Sequence, residues 1–319
     1  MKVGVITQVR KKGVSLLKKG RIDMKKRIFI YFVLLPFLFL IFAGIIYAAD
    51  VQVEAMAPDL EIRSVIRSVD VYAYPGEGEK AKQVRRKLLS RARGRILEGT
   101  KRYLDSRTKI TGINLEYRII KNKAGRFVTT LSVKNYDVDN KGRYHTQMQG
   151  EVKYRLNGLT YGDDRLRTVL MNPSAPLTVE VWTDKRKYSE GEHVKIFFKG
   201  NRDFYGKIVK TGVKGKILQL LPNNYRQISF FKRAKVYTIP DEGDRFDLEV
   251  CSPFGEERII VYAADLPLSL RNMKMVKGGI YKYRGKEISL GKSVRKSISI
   301  PENGTAEFCE SIWKIKKAF

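Results

Sequence analysis

After Asp50 the apolar residues of this chain recur at every second position in run after run, and only one long stretch breaks that period. From Lys80 to Arg107, Ala81, Val84, Leu88, Ala92, Ile96 and Tyr103 recur at spacings of three, four and seven, which sets them along one side of a single long helix. One helix among alternating strands admits few architectures. The strand-like runs Gly112–Lys121, Gly125–Lys134 and Gly142–Leu156 follow the helix, with Lys123-Ala124-Gly125 and Asp139-Asn140-Lys141-Gly142 as hairpin connections. With the alternating run Ile62–Tyr72 before it, this predicts an α+β module over residues 50–156: one long helix on a small antiparallel sheet.

Asn157 through Pro176, with Gly158, Gly162, Pro173 and Pro176, reads as a linker. Beyond it the chain is strand and turn. Leu177–Trp182, His193–Lys199, Asp203–Val209, Lys216–Leu221, Arg245–Val250 and Arg258–Tyr262 come at short, regular spacing, the pattern of an all-β, Ig-like β-sandwich over 177–319. Ser269–Lys296 is rich in glycine and lysine and reads as a mobile excursion, after which Ala306–Ile315 alternates cleanly as a returning strand.

Export is written ahead of this body. Lys25-Lys26-Arg27 precedes an uncharged apolar run, Ile28–Leu35 and Phe37–Ala49, of about 20 residues, long enough to span a bilayer. Residues 24–49 are therefore a signal peptide, cleaved after Ala48 or Ala49, or an uncleaved N-terminal anchor; Pro36 and the paired alanines favour cleavage. In either case everything after Asp50 is placed outside the cytoplasm, in the periplasm or cell envelope. Met24 opens a signal of ordinary shape, so residues 1–23 read as a misassigned upstream extension.

Charge points to the partner. The formal net charge is +30, of which the exported part keeps +21. Lys80–Lys109 holds twelve Lys/Arg against Glu98 and Asp105. Arg85, Arg86, Arg91, Arg93 and Arg102 are the candidate anion-binding residues, the alternative being an ordinary solvated face. Outside the cytoplasm the anions on offer are lipopolysaccharide, anionic lipid, peptidoglycan or an acidic envelope protein, whereas nucleic acid is a poor fit.

Other chemistry is thin. Cys251 and Cys309 lie in strand-like runs and could form a disulfide closing a loop of 57 residues, or serve as two buried thiols. His145 and His193 lack spaced partners for a zinc site, and Asp241-Glu242-Gly243-Asp244 reads as a polar hairpin rather than a calcium loop, so neither a metal nor a cofactor is expected. No Gly-x-Ser-x-Gly elbow occurs. Gly291-Lys292-Ser293 fails as a phosphate-binding loop because Lys286 stands where its first glycine should.

Two resemblances add to this reading. The helix rich in Ala, Arg and Leu, the Val/Ile strands and the run Tyr144–Val152 resemble the small module of bacterial envelope lipoproteins and of the flagellar assembly protein T amino-terminal domain, over about residues 60–156. Tyr188-Ser189-Glu190-Gly191-Glu192, Asp203-Phe204-Tyr205, Leu221-Pro222-Asn223, Ile239-Pro240 and Pro253-Phe254-Gly255-Glu256-Glu257 resemble, in that order, the bacterial domain-of-unknown-function family four-three-eight-four, over about Pro176–Leu268. That resemblance implies an accessory or binding module and brings no catalytic residues. The expectation is a non-enzymatic envelope protein with a binding or scaffold role. The alternative is a cell-envelope hydrolase, active on peptidoglycan or another glycan, whose site no motif reveals.

Overall fold

The computed structural model describes residues 62–319, apart from 111–112, 160–163, 245, 270–272 and 277–278. The expected extension and the signal or anchor segment, residues 1–49, lie outside the described residues. Strand β1 (Ile62–Ala73) leads to helix α1 (Ala81–Thr108), the small ladder of β2 (Lys109–Ile110) with β3 (Ile113–Asn114), and then β4 (Tyr117–Ile120), β5 (Val128–Asn135) and β6 (Tyr144–Leu156). A short helix α2 (Asp164–Met171) occupies the segment read as a linker. Next come β7 (Val179–Thr183), β8 (Lys187–Tyr188), β9 (Ile196–Gly200), β10 (Phe204–Thr211), β11 (Ile217–Leu221), β12 (Phe230–Phe231), β13 (Tyr237–Ile239) and β14 (Gly255–Ala264). The chain closes with β15 (Met273–Met275), β16 (Tyr281–Tyr283), α3 (Glu287–Lys296) and β17 (Thr305–Lys317).

The α+β module forms as its period requires. Val84, Leu88, Ala92, Ile96, Thr100 and Leu104 of α1 are buried at four-residue spacing; the first four pack on Val69, Val71, Met148 and Val152 of β1 and β6, and Leu104 packs on Val65 and Tyr154. Four residues overshoot one helical turn, so the buried stripe winds round α1 as it rises. Gly150 of β6 admits this contact, because a Cβ there would stand 2.8 Å from Ile96 Cδ1 and 2.9 Å from Val128 Cγ1.

The sandwich packs the three-stranded sheet β13-β9-β7 over β11, β10, β14 and β17. Its core centres on Phe198, Phe204, Phe231 and Tyr237, with Phe231 edge-on to Phe198 at 5.0 Å and to Tyr237 at 4.9 Å.

The C-terminal strand joins the two halves. Along the main sheet the order is β15-β16-β11-β10-β14-β17-β1-β6-β4, so β17 lies between β14 of the sandwich and β1 of the module. Its first part pairs with β1, from Thr305↔Arg67 to Glu310↔Ile62, and it pairs with β14 from Phe308↔Ala264 to Lys317↔Gly255. One hydrogen-bonded ladder thus runs through both.

The segment read as a mobile excursion is instead built into the sheet. Strands β15 and β16 extend its edge, and α3 buries Leu290 and Val294 against Val209, Ile217, Ile260 and Phe308 on the face of the sheet opposite α1. The i, i+4 pair Leu290/Val294, continued by Ile298, is the amphipathic signal that the surrounding glycines and lysines obscured.

Candidate functional site: the basic face of the long helix

Because Val84, Leu88, Ala92 and Ile96 face the sheet, Lys82, Arg86, Ser90, Gly94, Glu98 and Arg102 run along the outermost line of α1. Arg85, Arg93 and Lys101 lie on one flank, and Lys87, Arg91 and Arg95 on the other. At about 1.5 Å per residue, Arg86 and Arg102 are about 24 Å apart along the axis. The five candidate arginines therefore spread over an elongated surface and do not converge on one point.

The two flanks differ in what they hold. Lys87 pairs with Glu79 at 2.7 Å, Arg91 donates to the Tyr72 carbonyl at 2.8 Å, and Arg95 donates to the Asp70 carbonyl at 3.0 Å, so this flank clasps the end of β1. Lys82, Arg85, Arg86, Arg93, Lys101 and Arg102 make no ion pair among the described residues. Near the C-terminal end of the helix, Arg67 of β1 lies against Gly99, where a Cβ would stand 2.9 Å from its Nε. Burial, and then the neighbouring Arg102, lower the pKa of Arg67. The two guanidinium charges thus repel one another.

The other charged groups of note are internal. On β17, Glu307 takes the Arg202 guanidinium and the backbone N–H of Leu177, while Asp265 accepts from the Glu307 N–H at 2.9 Å. Burial, then the adjacent Glu307, push Asp265 up to about 6. Tyr103 of α1 belongs to the same group, its phenol pushed up to about 12 by burial and then by Glu307. Further along, Arg295 of α3 lies 2.9 Å from Glu151 and 3.2 Å from Glu310; the Glu310 contact is a hydrogen bond, whereas Arg295 Nε is not aligned to bond Glu151. Ser64 completes Glu151 at 2.7 Å. Neither group was legible, since its members are scattered from residue 64 to residue 310.

Of the two readings of the cysteines, bridge or thiols, the structure shows thiols. Cys309 is fully buried at the β14 pairing Cys309↔Ala263. Lys317 Nζ donates to the Cys251 carbonyl at 2.9 Å, which puts Cys251 beside the far end of β17. Eight residues of strand separate the two ends, on the order of 26 Å, whereas a bridge needs Cα atoms within roughly 7 Å. Shared membership of the sandwich said nothing of position along the strand.

His145 stacks between Tyr72 and Tyr136, each at 4.3 Å, and meets Asp70 at 2.6 Å; His193 pairs with Asp247 at 2.9 Å. No group of three or more His, Cys, Asp or Glu fit to hold a metal occurs among the described residues. In the turn Asp241–Asp244 the two aspartates are engaged with Arg226, at 2.8 Å and 3.0 Å. No helix among the described residues is long and apolar enough to cross a membrane.

No curated protein matches the chain. Residues 187–267, from β8 to just beyond β14, match the family model of a domain of unknown function, DUF4384. That span covers most of the sandwich, and the C-terminal part of this chain carries a DUF4384 domain.

Proposed function

We propose that the protein is an exported, non-enzymatic envelope protein in which α1 binds an anionic envelope component, lipopolysaccharide, anionic lipid or peptidoglycan, while the DUF4384 sandwich serves as a scaffold or contacts an envelope protein. The observation that carries this reading is the row of Lys82, Arg85, Arg86, Arg93, Lys101 and Arg102, which have no carboxylate partner among the described residues, together with the Arg67/Arg102 repulsion. Like charges repel, and a polyanion laid along α1 relieves that repulsion. Export rests on the segment Met24–Ala49.

One observation favours a second reading, a cell-envelope hydrolase: Asp265 stands beside Glu307 and is pushed up to about 6, as a general acid would be. Against it, Arg202 and the Leu177 N–H already engage Glu307 at the joint between elements.

Sedimentation of the full chain with anionic vesicles or with lipopolysaccharide tests the proposal. Binding should fall steeply as salt rises, because surface charges are screened within roughly 10 Å at 0.1 M. The variant Lys82→Glu/Arg86→Glu/Arg102→Glu, at three exposed positions, should lose binding and keep its fold, exposed substitutions each costing about 0.5 kcal/mol or less. Binding equal to that of the parent would sink the reading.

A further inference from the structure

On the sandwich side of the main sheet's order, away from α1, the β10–β11 turn, the start of β14 and the N-terminus of α3 line a half-open cavity of about 470 Å³. Thr211 and Arg258, register partners across β10 and β14, both line it. Strand parity sets them on the face that α3 covers, in line with Val209 and Ile260. Thr211 is 4% exposed, and its Oγ1 has no hydrogen-bond partner among the described residues. A buried hydroxyl left unmatched is costly, so its survival at the wall of a polar cavity points to a group that completes it.

Three further features converge there. Lys286, the N-cap of α3, makes no side-chain hydrogen bond to the first turn, and since its carbonyl takes the Ser289 and Leu290 N–H groups, only those of Glu287 and Ile288 are left uncapped at the positive end of a ten-residue helix. Lys214 of the turn and Lys286 make no ion pair among the described residues. The two acids of the lining are already engaged: Glu287 with Arg258 at 2.8 Å, and Glu256 with Lys314 at 3.5 Å. The unmatched donors are the Thr211 hydroxyl, the Glu287 and Ile288 N–H groups and the two lysines. Turn, strand and helix end offer these donors from three directions, which suits a tetrahedral oxyanion better than a planar carboxylate.

We propose that this cavity binds a phosphate group, its oxygens accepting from the first N–H groups of α3, the Thr211 hydroxyl, and the Lys214 and Lys286 ammonium groups. The site is independent of α1 and does not use its arginines.

Calorimetric titration of the full chain with inorganic phosphate, ionic strength held constant with sodium chloride, should give saturable binding at one site, and acetate under the same conditions should give none. Thr211→Val, near-isosteric, should weaken phosphate at least about tenfold, the usual worth of a hydrogen bond to a charged group. Lys214→Gln with Lys286→Gln, both at exposed positions, should abolish it while the melting profile stays that of the parent. Displacement by glycerol 3-phosphate but not by phosphatidylglycerol vesicles would place the phosphate on a soluble ester; displacement by the vesicles would place it on a lipid, and either carries the proposal. It is overturned if the parent shows no saturable binding, if the Thr211 and lysine variants bind as the parent does, or if the α1 triple reversal is what removes phosphate binding.

Discussion

Gly150 of β6 and Ile96 of α1 meet so closely that one added methyl at Gly150 would stand 2.8 Å from Ile96 Cδ1, whereas the same methyl at Gly94, on the outer line of α1, would meet nothing within 4 Å. The same substitution should therefore act in opposite directions. Gly150→Ala forces α1 off the sheet or Ile96 out of its rotamer, and should cost about 1–3 kcal/mol. Gly94→Ala removes a flexible residue from a helix interior and should gain about 0.5–1 kcal/mol. Urea denaturation midpoints of the two variants against the parent decide it.

Asp265 gives the fold a pH dependence of definite sign. Its carboxyl is pushed up from 3.8 to about 6 in the folded chain, so between those values the native state binds more protons than the unfolded one. Stability contributed by this group is present below about pH 4, declines as pH rises to about 6, and is then constant. At about 1.4 kcal/mol per pKa unit, the loss is at most roughly 3 kcal/mol. Asp265→Asn keeps an acceptor for the Glu307 N–H while removing the buried charge, so its stability should exceed the parent's above pH 6, and this part of the pH slope should vanish. Denaturation curves at pH 4.5 and 7.5 that shift equally in parent and variant would refute this assignment.

Much of the fold was legible because period is a local property. The α1 stripe, the strands that became β4, β5 and β6, and the returning β17 all follow from spacings within a dozen residues. Long-range placement was not. That β17 pairs with β1 as well as β14 depends on its being buried on both faces, and its run Ala306–Ser311 contains Glu307 and Glu310, which read locally as solvent-facing. Their partners Arg202 and Arg295 lie outside the strand, 105 and 15 residues away, so no window on β17 could show that the acids were engaged. For the candidate site the sequence identified the basic helix, while the split into a flank that clasps β1 and a flank without carboxylates needed the β1 carbonyls of Asp70 and Tyr72 in place.

The two thiols should differ sharply in reactivity. Cys309 is fully buried, and Cys251 is partly exposed with its thiol pushed up by burial. In the native chain iodoacetamide should label Cys251 alone, and slowly, since only the thiolate reacts. Without reductant, the unfolded chain should take two labels. A single mass consistent with an intramolecular bridge would contradict this.

Arg295 holds two buried carboxylates, Glu151 at 2.9 Å and Glu310 at 3.2 Å, and Glu310 is already raised above its ordinary range, by burial first. Replacing the arginine alone leaves both acids without their cation between α3 and the sheet, so Arg295→Met should cost about 3–5 kcal/mol. If the cost comes from the stranded charges rather than from the lost packing of α3, neutralising them should return most of it. The triple variant Arg295→Met/Glu151→Gln/Glu310→Gln should then recover at least half of the lost stability, since the Ser64 hydroxyl, which donates to Glu151, can still donate to the amide oxygen that replaces its carboxylate. Urea midpoints at pH 7 separate the two accounts: recovery locates the role of Arg295 in charge compensation, and no recovery locates it in the packing of its stem on Phe308, over which its guanidinium lies at 5.4 Å.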